Sequence, residues 1–275
     1  MSQMKSGQYV YGGPNTTTYA AIGYVEPNKM VTAKWREGAF LCIEYSEGGG
    51  SPSKRGYVTE STVSLSESIT AKTITLSPRR ILSNTMSYQG PTASYETNGQ
   101  LPRGTYVDSL FVEQTLTLIE YGHSATQKVR AYVSGNALTI AGTAPTENSS
   151  VTAFPNSYYA SPNNPSTVGQ CVWYCRGRDM EVRNNTSSSL PSGNANEWYG
   201  RATNLVRRMY PVNNSIACSN HSSYGHVWYV EYVDRDFVYI TEANWNAGTD
   251  GKVKKLSIAN FFSRCNGAFQ GCIVP

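Results

Sequence analysis

The sequence has little charge and very little histidine. Asp, Glu, Lys and Arg make up 15% of its 275 residues, and His123, His221 and His226 are its only imidazoles. No stretch of 18 apolar residues occurs, so no helical span and no membrane insertion is expected. The basic residues do not gather: the densest run is Lys252, Lys254 and Lys255, and the net charge is only +4. Without a basic stripe or a recognition motif, no nucleic-acid partner is expected. There is no G-x-S-x-G elbow for serine catalysis and no H-E-x-x-H pair for zinc. The opening MSQMKSGQYVYGG has one Lys and no apolar stretch after it, so it does not read as a signal peptide. A chain made without one would fold in a reducing compartment, where disulfides are rare.

Tyrosine and small polar residues are plentiful: 20 Tyr and 24 Gly, with many Ser, Thr and Asn. That composition predicts short strands joined by polar turns. Three short motifs recur in order. Tyr11-Gly12-Gly13-Pro14 resembles Tyr88-Gln89-Gly90-Pro91, Ile43-Glu44-Tyr45 recurs as Ile119-Glu120-Tyr121, and Gly56-Tyr57-Val58 as Ala131-Tyr132-Val133. The near-constant offset implies a duplicated unit of about 60 residues. Strands are predicted over Met30–Trp35 and Ala39–Tyr45 in the first copy, and over Thr105–Glu113 and Thr115–Tyr121 in the second. Residues 63–83 read as a connector, and the Thr-, Ser-, Asn- and Pro-rich stretch 137–168 as a linker with too little apolar content for a core.

The chemistry concentrates in the last part of the chain. Cys171 opens a predicted helix running to about Arg178, where free backbone amides and the helix dipole would stabilise a thiolate. A second helix is predicted from Asn194, with Trp198, Ala202, Leu205 and Met209 on one face and Pro211 ending it. His226–Val233 and Phe237–Asn244 read as a hairpin around Asp234-Arg235-Asp236. Pairing symmetric about Arg235 sets His226 opposite Asn244 and Trp228 opposite Glu242, so His226, Glu242 and Asn244 would share a face. A Cys, a His to accept its proton and a carboxylate or amide to orient the His are the parts of a thiol hydrolase. Other readings stay open at this point. Cys218, His221 and His226 could be zinc ligands, although the spacing lacks a second Cys pair. His221 otherwise reads as a solvated loop residue, and Cys175 as a small core residue. Cys265 and Cys272 are close enough in sequence to close a small disulfide loop.

Five blocks in order carry a specific resemblance: GQCVWY, NANEWYGRA, SIAC, YGHVWYVEYV and ITEANW. Together they resemble the CHAP family of cysteine, histidine-dependent amidohydrolases/peptidases, over about residues 166–260. The two repeats resemble bacterial SH3-like cell-wall-binding domains. The resemblance implies a multidomain chain: two small all-β SH3-like barrels at residues 1–65 and 80–140, then an α+β papain-like hydrolase domain of NlpC/P60 type at 158–275. It implies Cys171 as nucleophile, His226 as base, and Glu242 and Asn244 completing the site. Gln170 and Trp173 are the expected substrate contacts. No cofactor or metal is required by this scheme, although some family members bind calcium near the positions of Asp179 and Glu181. The expected partner is bacterial peptidoglycan and the expected state a monomer. The architecture and the missing signal resemble a phage endolysin, made in the host cytoplasm and acting at the wall. A non-catalytic wall-binding or virion structural protein and a general cysteine protease are the rival readings.

Overall fold

The computed structural model describes residues 1–48, 51–151, 156–245, 251–264 and 267–275. The chain divides into two compact units: Met1–Arg103 with Val107–Ile140, and Gly104–Tyr106 with Ala141–Pro275.

The first unit contains both repeats. Repeat one has β1 (Ser2–Met4), β2 (Gln8–Tyr11), β3 (Ala21–Val25), β4 (Met30–Glu37), β5 (Phe40–Tyr45), β6 (Lys54–Thr59) and β7 (Val63–Ser64). Repeat two has β8 (Ser77–Ile81), β9 (Thr85–Tyr88), β10 (Thr97–Leu101), β11 (Tyr106–Glu113), β12 (Leu116–Gly122), β13 (Lys128–Ser134) and β14 (Leu138–Ile140). Strand order is 3-2-6-5-4-1-7 in the first sheet and 10-9-13-12-11-8-14 in the second, which is the same topology twice. The four strands read from the sequence coincide with β4, β5, β11 and β12 to within two residues.

The residues predicted to be connectors join the sheets instead. Thr70 O accepts from Arg36 N and Lys72 N donates to Arg36 O, so this stretch runs beside β4 while Leu65 and Ile69 pack on the first core. Residues 138–140 form β14 on β8, with Leu138 opposite Ile81. Beyond them, Asn148 N donates to Val253 O and Val253 N to Ser149 O within the second unit. Composition reports side chains that cannot make a core, and these stretches are held by backbone pairing, which composition does not report.

The recurrent motifs turn out to be the contacts between the repeats. Arg130 of repeat two donates to Glu37 of repeat one and to its own Glu120. Arg55 of repeat one donates to Glu113 of repeat two and to its own Glu44. Tyr19 OH donates to Glu120, and Tyr95 OH to Glu44. Tyr57 and Tyr132, from the third motif pair, accept from Arg130 and Arg55 respectively. Gly13 and Gly90 lie flat against the rings of Tyr19 and Tyr95, where any Cβ would collide. The repeats thus exchange equivalent ion pairs about a quasi-two-fold relationship.

The second unit is built on the antiparallel sheet of β15 (Val206–Arg208), β16 (Ser215–Ser219), β17 (His226–Val233), β18 (Phe237–Thr241), β19 (Lys254–Ser257) and β20 (Phe269–Val274), in order 15-20-16-17-18-19. Its helices are α1 (Cys171–Arg183), α2 (Ala195–Arg201) and α3 (Ile258–Ser263). Alternation along the strands sorts the two cores. Ile216, Cys218, Val227, Tyr229 and Ile273 face the cluster containing Tyr174 of α1 and Trp198 of α2. Ala217, Trp228, Val230 and Cys272 face the cluster containing Phe261 of α3. Helices therefore cover both faces of the sheet.

The helix predicted to reach Pro211 is shorter. α2 starts at an Asn194/Glu197 capping box and stops at Arg201. Val206–Arg208 instead pair with β20, Val206 opposite Val274. Trp198 and Ala202 are buried as the apolar pattern demands, whereas Met209 is half exposed. Gly200, Thr203 and Asn204 are weak helix formers, and edge pairing outweighs the periodicity there.

Candidate active site

Cys171 is the first residue of α1, and Gln170 takes the N-cap position in extended conformation. N–H groups at this end lack intrahelical acceptors, and that of Val172 hydrogen bonds to the sulfur. Burial pushes the Cys171 thiol up. Hydrogen bonding to His226, the imidazolium charge and backbone hydrogen bonds from Val227 and Val172 outweigh it, so the thiol is held below the usual range.

His226 opens β17, opposite Ser219 of β16. Gly225 before it has φ +70°, and a Cβ there would strike the backbone of Asn196 and Ser219, so only glycine brings the chain into β17 at this angle. The imidazole lies between two indoles, stacked on Trp228 at 5.9 Å and tilted against Trp245 at 4.8 Å. Its Nε2 is 2.9 Å from Glu242 Oε2, which leaves Nδ1 for Cys171. Burial pulls the His226 pKa down, but hydrogen bonds to Cys171 and Glu242 and both negative charges raise it overall. Thiol and imidazole therefore shift toward each other's charged forms, which favours a thiolate–imidazolium pair.

Glu242 follows β18 directly. Tyr229 pairs with Thr241 and Val230 with Ile240, which is the symmetric register around Arg235, and an irregularity between Val230 and Tyr232 then shifts it. The carboxylate is fully buried, with Oε1 held by Lys254 Nζ at 2.6 Å and by Arg264 Nη2. Burial raises its pKa, yet His226 and these two cations hold it below the usual carboxylate range. In the sequence Lys254 belongs only to the Lys252, Lys254 and Lys255 run, and Arg264 stands in no motif. Their distance from Glu242 along the chain hides a contact that β19 and α3 create.

Asn244 is exposed, with φ +60°, and its Nδ2 donates to Gln170 Oε1 at 2.8 Å. It thus braces the residue before the thiol. Gln170, Cys171, His226 and Asn244 all line one open cavity of about 610 Å³, together with His221, Tyr224, Trp245 and Arg176.

Trp173 corrects a sequence expectation. It is 5% exposed, and its Nε1 donates to Tyr159 O at 2.9 Å inside the core, so it does not line the cavity. Two residues past Cys171 on a helix, its side chain leaves on a different face. Trp245, which follows Asn244, supplies the aromatic wall instead. His221 is exposed but lines the cavity: its Nδ1 is 2.9 Å from Ser219 Oγ, and its ring is 4.9 Å from Trp245.

Among the described residues, no group of three His, Cys, Asp or Glu is placed to hold a metal. Cys218 is buried in the α1-facing core, apart from His221 at the cavity wall. Asp179 pairs with Arg183, and Glu181 with Arg178. Cys175, Cys218 and Cys272 are buried free thiols, pushed up by burial. Cys265, the other half of the expected small disulfide loop, lies outside the described residues.

A lowered thiol at a helix start, an imidazole and a buried carboxylate around an open cavity define a nucleophilic thiol site on an α+β scaffold. Residues 161–244 match the model of the CHAP domain, and the chain carries a CHAP domain there. The N-acetylmuramoyl-L-alanine amidase sle1 of Staphylococcus haemolyticus is 31% identical over 120 residues, covering 41% of this chain and 36% of that protein. "Probable autolysin SsaALP" of Staphylococcus aureus is 34% identical over 113 residues, covering 39% of this chain and 40% of that protein. The match therefore spans well under half the length of these relatives. A solved NlpC/P60 family protein from Bacillus cereus aligns over 98% of each chain, at 10% identity and a TM-score of 0.25.

Proposed function

We propose that this chain is a cysteine-dependent peptidoglycan hydrolase that cuts an amide bond in the peptide part of the bacterial wall. The carrying observation is the thiol of Cys171 on the wall of the cavity, hydrogen bonded to an imidazole whose Nε2 is fixed by Glu242. In this reading Glu242 sets the tautomer with Nε2 protonated. His226 Nδ1 takes the thiol proton, the thiolate attacks the amide carbonyl, and the imidazolium returns the proton to the leaving amine. The free amides at the start of α1 receive the oxyanion. Gln170 assists with its Nε2, because its Oε1 already accepts from Asn244.

The CHAP match and the names of the staphylococcal relatives support peptidoglycan as the substrate. We assign the two N-terminal repeats to wall binding, as SH3-like modules that raise the local concentration of the hydrolase at its substrate. The whole would act as an endolysin-like enzyme. The test is clearing of purified cell walls by the full chain, with Cys171→Ala as control. Clearing by the wild type and none by the variant is expected. Clearing by the variant refutes the nucleophile, and activity on casein without activity on walls points to a general protease. Mass spectrometry of the digest then assigns the bond: new amino termini at L-Ala mark an amidase, and termini within the stem or bridge mark an endopeptidase.

A further inference from the structure

Among the described residues, the cavity beside Cys171 has no acidic side chain on its wall. Its ionisable lining is basic, namely Arg176, His221 and His226, apart from Cys171 and Tyr224, and the rest is hydroxyl, amide or apolar. Arg176 is the one permanently charged group among them. It is 5% exposed, yet makes no ion pair. Its Nη1 donates to Leu190 O at 3.0 Å and its Nη2 to Pro191 O at 2.5 Å, and Nε has no partner. Three other buried arginines, Arg55, Arg130 and Arg178, each meet carboxylates. Arg55 meets Glu44 and Glu113, Arg130 meets Glu37 and Glu120, and Arg178 meets Glu181 and Glu231.

A guanidinium removed from water without a contacting carboxylate is costly: burial pulls the Arg176 pKa down, and the charge of Asp179, itself paired with Arg183, offsets this only in part. The side chain is nevertheless fixed in place by two carbonyls and lies over Trp198 at 5.5 Å. Each Nη still carries a hydrogen not given to those carbonyls. Ser192 and Asn194 line the cavity beside it. A rigid fork with spare donors, next to neutral hydrogen-bonding groups in a cavity whose described lining carries no acid, matches a planar carboxylate.

Taking the hydrolase reading as its basis, we propose that Arg176 is a specificity-determining residue. It receives a free carboxylate on the substrate residue flanking the scissile amide, so the enzyme favours peptides bearing that carboxylate over their carboxamides. The arginine supplies the unfilled carboxylate position, and the substrate supplies the carboxylate.

The test uses the full chain and two soluble stem-peptide substrates identical except for carboxylate or carboxamide at that residue. The expected result is a kcat/KM at least about tenfold higher for the carboxylate, most of it in KM, as suits a hydrogen-bonded charge in a desolvated site. Arg176→Gln should bring the ratio close to one, and Arg176→Lys should keep part of it. Equal kcat/KM for the two substrates in the wild type overturns the proposal, and that comparison stands even if Arg176→Gln fails to fold for want of its ties to Leu190 and Pro191. A ratio left unchanged in a folded Arg176→Gln overturns it as well. Clearing of walls with equal peptide rates removes the subsite alone. No cleavage of walls or of either peptide removes the hydrolase reading and the subsite with it.

Discussion

His226 Nε2 and Glu242 Oε2 stand 2.9 Å apart with both side chains buried. The second oxygen of the same carboxylate is held by Lys254 and Arg264. Glu242 is therefore an ionised, immobile group, since two cations offset the cost of burying it beside a histidine. An anchored carboxylate of this kind orients the imidazole without taking its proton, as the proposed mechanism requires.

Glu242→Gln keeps the shape and removes the charge. The variant should lose about 10²- to 10⁴-fold in kcat on walls, by analogy with the loss of an orienting acid in other nucleophilic triads. Its pH profile should also change. The wild-type plateau is expected between the lowered Cys171 pKa and the raised His226 pKa. Without the Glu242 charge the His226 pKa falls, so the alkaline limb should move to lower pH. A pH–rate series on both proteins checks this, and an unchanged alkaline limb would contradict the assigned role.

The two arginines that join the repeats should differ in weight. The Glu37 and Glu120 partners of Arg130 are at most 9% exposed in their side chains, whereas the Glu44 and Glu113 partners of Arg55 are about a quarter exposed. Arg130→Ala leaves buried Glu37 with no ion partner among the described residues and buried Glu120 with only the partly exposed Lys128, and should destabilise the N-terminal unit by about 3–5 kcal/mol. Arg55→Ala should cost less, because water reaches the carboxylates it abandons. Denaturant unfolding of the variants measures both, and equal losses would argue against burial as the deciding factor.

How far the sequence could be read depended on which contacts were local. The hairpin and the Cys at a helix start follow from period two and from helix-end chemistry; the symmetric register holds at Tyr229–Thr241 and Val230–Ile240 but shifts beside the turn, and the second strand, expected to reach Asn244, ends at Thr241. Motif recurrence revealed the repeats, yet could not reveal that Glu44, Glu120, Tyr57 and Tyr132 recur because they stitch one repeat to the other. Trp173 was misplaced because nearness to Cys171 along a helix is not nearness in space. Leu205 and Met209 fit a helical face, but their segment pairs with β20, a partner more than sixty residues away. Lys254, Arg264 and Arg176 carried no local signal at all, because each acts through a fold-level neighbour.

Trp173 and Trp245 should separate in kinetics. Trp173→Phe removes the buried donor to Tyr159 and leaves a small void, so stability should drop by about 1–3 kcal/mol with KM unchanged. Trp245→Ala opens the cavity wall beside His226 and should raise KM for soluble peptides severalfold. A raised KM in folded Trp173→Phe would return that residue to the substrate groove.

The most direct measurement is the pH dependence of alkylation at Cys171, followed by mass spectrometry in the wild type and in His226→Ala. The other described cysteines are buried, and burial pushes their thiols up. Iodoacetamide should therefore mark Cys171 before any of these. In the wild type the labelling rate should rise with a midpoint below the usual thiol range near 8.5. In His226→Ala the hydrogen bond and charge are gone while burial remains, so the midpoint should move up. The same midpoint in both proteins, or a wild-type thiol that resists labelling at every pH, would contradict the pairing of Cys171 with His226.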